Sequence, residues 1–213
     1  MPVAPRTRGR PPGLAGPALL AEARAVFLER GYTATTMDEI ASRARISKSS
    51  LYREHPSKSE LFAAVVADWA ASGSDATRPM LERLAAAAEP RDGLVELGHG
   101  MLRGMLAPPV VEMRRLVITE ANVQPEVAAA YRRDSWERNV AALATSFEAL
   151  HRAGALTVDD PLAAAAEFTW LVVGAPLNAA LLGERFDGLD AHVTSAVTTF
   201  LARYGTLGPA PLP

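Results

Sequence analysis

Helical spacing of apolar residues constrains this chain most, because it recurs along almost the whole length while strand-like alternation is nearly absent. Leu20, Ala23 and Phe27 follow the i, i+3, i+7 spacing of a buried helical stripe, and Gly31 is well placed to end that helix. Further breaks are expected at residues 72–74, Pro90, Pro108, Pro109 and Gly154, with one long helix over residues 125–153. The spacing predicts an all-α protein with three short helices ahead of about seven longer ones.

The three short helices have the signals of a DNA-binding motif. Thr36, followed three residues later by Glu39, forms a capping box that opens the second helix. Ser47 caps the third helix, and Pro56 ends it. Two short helices joined by a tight turn, with another helix behind them, form a helix-turn-helix whose last helix can enter the major groove.

The charges are distributed unevenly, although the net charge is only −2. Residues 1–60 carry ten lysines and arginines against six acidic residues, while the remainder carries twelve against eighteen. This asymmetry suggests a polyanion partner for the front end. At the start of the third helix, Lys48, Ser49 and Ser50 are small or cationic, which would allow close approach to base edges. Arg8 and Arg10 belong to a short cationic segment of the kind that lies in a narrow minor groove.

About 45 residues of the front end resemble the TetR family of transcriptional regulators in residue type and order. The matching residues are Phe27, Gly31, Tyr32, Thr35, Thr36, Ile40, Ala41, Ala44, Ile46, Ser47, Lys48, Leu51, Tyr52, Pro56, Ser57, Lys58, Leu61 and Phe62. Residues 115–134 also resemble a segment frequent in AcrR-like members. The resemblance implies a repressor-type homodimer with N-terminal DNA-binding domains and a larger helical domain that binds an inducer. It further implies that Thr36, Tyr52 and Lys58 contact phosphates.

Three residues depart from the family pattern. Arg45 stands where the turn usually has glycine, so a positive φ there would cost on the order of 1 kcal/mol, offset by a phosphate contact. Glu54 and His55 stand where histidine or tyrosine and then phenylalanine are usual. Because Glu54 would repel a nearby phosphate unless a cation such as Arg53 neutralised it, we expect weaker or more selective DNA binding.

The longer helices contain more methionine and aromatic residues than simple surface helices need. Such side chains suit an adaptable apolar pocket, although residues of this kind are more often plain core residues than ligand contacts. The candidate ligand-binding residues are His99, Met105, Glu120, Asn139, Phe147 and Trp170. The three polar members would anchor the ligand, and its identity is left open by the sequence.

The segment over residues 168–184 is apolar nearly all round, which a surface helix would not tolerate. Its small residues permit close helix approach, and the resemblance places dimerisation on the last two helices. Together these observations suggest a four-helix dimer interface. The candidate interface residues are Gly174, Ala175, Leu182, Val193, Val197 and Leu201.

The enzyme alternative is a di-iron carboxylate bundle, because residues 96–99 and 148–151 both have Glu-x-x-His spacing, and Glu120 and Glu167 could add two carboxylates. Helical geometry argues against it, since Glu96 and Glu148 lie off the apolar stripes of their helices. The sequence has no cysteine, glycine-rich phosphate loop or hydrolase motif. We therefore expect no catalytic residue, metal or cofactor.

The expected organisation is a flexible basic arm (residues 1–16), a helix-turn-helix domain (17–62), a ligand-binding and dimerisation domain (63–206) and a disordered tail (207–213). The N-terminus does not resemble a signal peptide, and no stretch approaches the ~20 uninterrupted apolar residues of a membrane span. We expect a cytoplasmic homodimer that does not bind membranes. The predicted function is a ligand-responsive transcriptional repressor, which a small apolar or amphipathic ligand releases from a palindromic double-stranded DNA operator.

Overall fold

The computed structural model describes residues 13–87 and 89–206, and these residues form ten α-helices and one π-helical turn. Within those ranges the only β-type pairing is an isolated bridge between Leu156 and Gly205, so the all-α prediction is confirmed. The chain divides into two compact units, residues 1–68 (the N-terminal unit) and residues 69–213 (the C-terminal unit). Most of the predicted arm, residues 1–12, and the tail at 207–213 lie outside the described residues.

The N-terminal unit contains α1 (Gly16–Ala34), α2 (Met37–Arg43), α3 (Lys48–Glu54) and the start of α4 (Lys58–Ala86). The predicted end of the first helix is confirmed, because Gly31 adopts φ 74° and ψ 165° and interrupts the helical backbone. Thr36 Oγ accepts from the backbone N–H of Glu39 at 3.2 Å. Ser47 Oγ likewise accepts from Ser50 N at 3.0 Å, which confirms both predicted helix caps.

One aromatic cluster joins α1 to the start of α4 in the N-terminal unit. The rings of Phe27, Tyr32 and Phe62 contact one another with centroid distances of 5.1–5.9 Å. The same unit also contains fully buried aliphatic residues on α1 to α4: Leu19, Ile40, Ala44, Leu51 and Leu61. Burying each larger side chain contributes about 1.5–3 kcal/mol, enough to position helices that would not persist alone at seven residues.

Arg43 ties α2 to α1 through two carboxylates. Its Nε donates to Glu22 at 2.6 Å, and its two terminal nitrogens donate to Glu29 at 2.5 and 3.1 Å. The hydrogen bonds from Arg43 hold the pKa of Glu29 below its ordinary value. The clamp fixes the orientation of α2, on which the turn into α3 depends.

The C-terminal unit contains the rest of α4 and six further α-helices. They are α5 (Pro90–Met105), α6 (Pro108–Glu120), α7 (Pro125–Tyr131), α8 (Arg138–Arg152), α9 (Pro161–Leu181) and α10 (Leu189–Tyr204), with the π-helical turn (Arg132–Glu137) between α7 and α8. The predicted break at residues 72–74 is wrong, because α4 is continuous there. Replacing alanine by glycine or serine in a helix costs about 1 kcal/mol or less per residue. This cost is too small to end α4 at these residues.

Three phenylalanines form the centre of the C-terminal core. Phe147, Phe168 and Phe200 lie on α8, α9 and α10, with ring centroids 5.1–5.8 Å apart. Helix α5 packs closely on α10, since a Cβ added at Gly98 would lie 2.8 Å from a methyl carbon of Val193. The position therefore requires glycine if the two helices are to keep this distance.

Helix α9 is the one described helix with the length and composition of a membrane span. Its most apolar window has a mean hydropathy of 1.3, and 44% of that window is buried inside the protein. A helix at the centre of a globular core has the same composition. Its apolar character is accounted for in part by the contacts of Phe168 and its buried neighbours.

Candidate DNA-binding surface and ligand cavity

The first turn of α3 presents a group of hydroxyls beside an ammonium. Ser47 Oγ lies 2.9 Å from Ser49 Oγ and 2.8 Å from Ser50 Oγ, so the hydroxyls form one cluster. Lys48, next to them, is exposed and pairs with Asp38 of α2 at 2.5 Å. An exposed ion pair of this kind contributes about 0–1 kcal/mol, so a DNA phosphate or base could replace Asp38 at little cost.

Two further residues predicted to contact DNA are exposed near this helix. Tyr52, on α3, is 46% exposed, although a large aromatic side chain is normally covered. Thr36 is exposed at the N-terminus of α2, where its hydroxyl serves as the helix cap. Helix N-termini favour phosphate through free amides and the helix dipole.

Arg45 has the positive φ that its place in the turn suggested. Its φ is 58°, and no other non-glycine residue in the described ranges has a positive φ. The turn is closed by hydrogen bonds from Arg45 N to Ser42 O at 3.1 Å and from Ile46 N to Ala41 O at 3.0 Å. The left-handed conformation thus makes the sharp connection between α2 and α3, with the arginine side chain exposed.

Lys58 is predicted to contact a DNA phosphate, but in the structure its ammonium bonds to backbone carbonyls of the N-terminal unit. Its Nζ donates to the carbonyl oxygens of Tyr32, Thr33 and Thr35 at 2.8, 3.2 and 2.9 Å. The ammonium also lies 4.5 Å from the centre of the Tyr32 ring. Since an ammonium has three N–H groups, all of its donors are used within the N-terminal unit.

The two unusual residues at the end of α3 are placed differently. Glu54 is exposed in the last turn and forms no ion pair with any described residue, so Arg53 does not neutralise it. His55 is partly buried and caps α3 through a hydrogen bond from its backbone N–H to Leu51 O at 2.8 Å. Arg8 and Arg10 lie outside the described residues.

The C-terminal unit contains a cavity of about 380 Å³ between helices α4 to α9 and the π-helical turn. Most of its lining is apolar, including Trp69, Met80, Met101, Met105, Tyr131, Trp136, Val140 and Leu143. This volume lies within the range of about 300–1,000 Å³ typical of small-molecule sites. Two of the predicted ligand-binding residues, Met105 and Asn139, line the cavity.

The structure places the other four predicted ligand-binding residues outside this cavity. His99 lies 3.6 Å from Asp190, and Phe147 is part of the central core. Glu120 is buried elsewhere at the end of α6. Trp170 is 57% exposed, and its ring lies 4.6 Å from that of Trp136, which does line the cavity. Apolar spacing could identify inward faces but could not tell cavity walls from filled core.

Sequence reasoning missed Arg114, which lines the cavity from α6. A signal was present, because Arg114 falls between Val110 and Val117 in the i, i+4, i+7 series of that helix. A cation in an apolar stripe is unusual, since arginine is mostly exposed.

The carboxylates and histidines of the di-iron alternative are engaged separately. Glu96 pairs with Arg83 at 2.7 Å, Glu148 with Arg152 at 3.8 Å, and Glu167 accepts from Tyr204 at 2.8 Å. The Nδ1 of His151 accepts from the backbone N–H of Val158 at 3.2 Å. Within the described part of the chain, no group of three or more acidic, histidine or cysteine residues could hold a metal.

The predicted dimer-interface residues separate into surface and core groups. Leu182 is 71% exposed, Ala175 is exposed, and Gly174 and Leu201 are partly buried. Val193 and Val197 are 0% exposed, so their assignment to an interface is corrected. The apolar stripe of α10 is covered by its own protomer, and these two side chains cannot also face a partner.

Sequence comparison matches both units to one group of bacterial proteins. Residues 19–65 match the family described as bacterial regulatory proteins, tetR family, and residues 92–206 match the C-terminal domain of AefR-like transcriptional repressors. The transcriptional activator FasR of Mycolicibacterium smegmatis is 54% identical over 48 residues. That match covers 22% of each chain, so this chain spans about a fifth of the length of that relative.

Solved structures extend the likeness to nearly the whole chain. A TetR-family transcriptional regulator from Mesorhizobium loti superimposes with a TM-score of 0.84 and 29% identity, covering 88% of this chain and 95% of that one. The flavonoid-responsive regulator FrrA superimposes with a TM-score of 0.73 and 26% identity over the same shares. The chain belongs to the TetR family of bacterial transcriptional regulators, with an AefR-like C-terminal domain.

Proposed function

We propose that this regulator is a homodimeric repressor that binds a palindromic operator through α3 and leaves it when a small apolar or amphipathic ligand fills the cavity. The observation that carries the proposal is the presence in one chain of an exposed hydroxyl and ammonium cluster on α3 and a largely apolar cavity of about 380 Å³. The AefR-like match favours repression. The activator FasR shares only the 48-residue match and weighs little against it.

On the DNA side, we assign base and phosphate contacts to exposed or half-buried residues around α3. They are Thr36, Arg45, Lys48, Ser49, Ser50 and Tyr52, with Arg8 and Arg10 of the arm reaching the minor groove. Lys58 acts instead as a positioning residue, because its three donors hold the carbonyls that end α1. The proposed partners are double-stranded DNA, a second copy of the chain and an effector, with no catalytic step, and the protein would act in the cytoplasm.

Dimerisation is assigned to the exposed face of α9. Trp170, in the middle of the helix, and Leu182, at its C-cap, are 57 and 71% exposed. Gly174 and Ala175 lie between them and would permit close approach of the partner helix. Apolar surface of this kind in a folded protomer typically marks a protein interface.

Release from DNA is assigned to α4, which carries parts of both functions. The helix begins at Lys58 in the N-terminal unit, and Trp69 and Met80 farther along it line the cavity. A ligand that favours one position of α4 would change the spacing of the two α3 helices in a dimer. That spacing must match half-sites about 34 Å apart, so a small change is enough to release the operator.

Selection from random DNA duplexes with the full-length protein tests the proposal. We expect an enriched sequence with two-fold symmetry, and protection of both half-sites in footprinting. Lys48→Ala should reduce affinity for the enriched duplex while leaving the melting temperature unchanged. Failure to enrich any sequence, or enrichment of an asymmetric single site, would contradict the proposal.

A further inference from the structure

One charged side chain, Arg114, is among the described residues that line the cavity. Among the described residues that line it, Arg114 is the only one with an ionisable carboxylate, ammonium or guanidinium group. The surrounding residues are mostly methionine, leucine, valine, tyrosine and tryptophan, so little else nearby offsets its positive charge. A lone cation in an apolar site makes the site selective between anionic, neutral and cationic ligands of one shape.

Arg114 is also incompletely satisfied. Its Nε is buried and has no hydrogen-bond acceptor in the described protein. The guanidinium carbon lies 5.9 Å from the ring centres of both Tyr131 and Trp136, which hold it by cation–π contact and leave its N–H groups free to donate. Buried polar groups are nearly always paired, so this unpaired donor calls for an acceptor from outside the chain.

Three hydroxyl groups of the cavity are already hydrogen-bonded to backbone carbonyls. Ser135 Oγ donates to Tyr131 O at 2.6 Å, Thr169 Oγ1 to Ala165 O at 2.7 Å, and Thr77 Oγ1 to Gly73 O at 3.3 Å. Their hydroxyl hydrogens are therefore unavailable for recognising a ligand. Arg114 is the charged donor of the lining, and the amide of Asn139 is a neutral one.

The backbone supports a ligand-binding role for the part of the cavity beside Arg114. Ser135 and Trp136 belong to the π-helical turn, and both line the cavity. Single π-helical turns occur frequently at functional sites, because they insert a residue that alters which side chains face inward. The turn thus places the Trp136 ring beside the cation.

We propose that the effector is an amphipathic anion with an apolar, ring-containing body and one carboxylate that accepts hydrogen bonds from Arg114. The inference rests on the proposed function of the cavity as the effector site. The planar fork of a guanidinium matches the two oxygens of a carboxylate, and such charge-assisted hydrogen bonds are stronger than neutral ones. The aromatic residues Trp69, Tyr131 and Trp136 offer flat apolar surfaces for a ring.

Matched probes on the full-length protein test the inference by thermal shift and isothermal titration calorimetry. Naphthylacetic acid and naphthylacetamide have nearly the same shape and differ in charge, and naphthylethylamine supplies the cation. Decanoic acid and decanamide form a second, ring-free pair. The variants are Arg114→Met, the charge-conserving Arg114→Lys, and Arg103→Met, an exposed arginine of α5 outside the cavity lining.

We expect naphthylacetic acid to bind the wild type at least about tenfold more tightly than its amide, and more tightly than decanoic acid. Arg114→Met should abolish the preference for the acid and leave amide binding unchanged. Arg114→Lys should retain part of the preference, and Arg103→Met all of it. Because Arg114→Met removes a buried unpaired donor, the variant should fold without loss of melting temperature.

Two outcomes distinguish this inference from the proposed function beneath it. If the amide or the amine binds the wild type as tightly as the acid, or if Arg114→Met keeps the acid preference, the anionic class is wrong while the cavity remains a ligand site. If none of the five compounds binds the wild type, the assignment of the cavity as the effector site is overturned, and this inference with it.

Discussion

Single residues at the end of α3 should set how tightly this regulator holds DNA. Glu54 is exposed in the last turn of the helix and has no cationic partner among the described residues. Its negative charge is unfavourable both beside a DNA phosphate and at the C-terminus of a helix. The residue is thus a point where DNA affinity can be raised by one substitution.

Glu54→His should raise operator affinity, and Glu54→Gln should give part of the increase, because the first supplies a donor and the second only removes charge. A gel-shift titration at fixed salt measures both. Asp187→Asn, an exposed acidic residue of the C-terminal unit, controls for the change in net charge. Unchanged or weaker binding by Glu54→His would refute the assignment.

The positive φ of Arg45 strains the turn between α2 and α3. Arg45→Gly should stabilise the protein by about 0.5–1 kcal/mol, since glycine adopts φ 58° without the steric penalty of a side chain. Chemical denaturation measures the change. Arg53→Gly, at a helical position in α3, should instead destabilise by about 1 kcal/mol. A neutral or destabilising effect of Arg45→Gly would show that the turn does not store this strain.

A few specific side-chain hydrogen bonds hold the helices of this chain together, in addition to apolar packing. The three hydrogen bonds of Lys58 join the start of α4 to the end of α1, and Arg43 joins α2 to α1. A sequence pattern identifies the cations but not their acceptors, which become neighbours only in the folded unit. The sequence accordingly predicts that Lys58 contacts a DNA phosphate. In the structure, its ammonium instead donates to backbone carbonyls of its own unit.

Lys58→Met should lower stability by about 1–3 kcal/mol, because the three carbonyls lose charge-assisted hydrogen bonds. Lys48→Met, which removes only an exposed ion pair, should change stability by less than about 1 kcal/mol while weakening DNA binding more. Thermal denaturation and operator titration of both variants separate the roles. If Lys58→Met leaves the melting temperature unchanged and only weakens DNA binding, Lys58 is a phosphate contact after all.

The sequence predicts elements best where a local signal decides the structure. The hydroxyl caps at Thr36 and Ser47 and the break at Gly31 are local, and all three are present. The predicted break at residues 72–74 was wrong. The long helix predicted over residues 125–153 is helical from Pro125 to Arg152, but it contains a π-helical turn that the sequence did not predict, because hydrogen-bond register depends on packing over several turns. Likewise, whether Phe147 lines a cavity or fills a core depends on residues of other helices.

At the scale of the whole molecule, the proposed function requires two copies of the chain. The exposed face of α9 carries apolar residues that its own protomer leaves uncovered, whereas the stripe of α10 at Val193 and Val197 is already buried. Because Val193 and Val197 cannot contact a partner, the exposed face of α9 is the remaining candidate interface. This interface can be tested without DNA or ligand.

Ala175→Glu should convert a dimer into monomers at micromolar concentration, because a charged side chain would occupy the centre of the proposed contact. Multi-angle light scattering gives the mass directly. Ala149→Glu makes the same change at an exposed position of α8 and should leave the dimer intact. A monomeric wild type, or a dimeric Ala175→Glu, would contradict the interface.

Two copies of α3 are proposed to read a symmetric operator, and titration of the selected duplex by fluorescence anisotropy tests this most directly. We expect one dimer per duplex and a loss of affinity of at least about tenfold when either half-site is scrambled, with the same loss for Lys48→Ala on the intact duplex. Equal affinity for the operator and a fully scrambled duplex, or full affinity with one half-site removed, would contradict it.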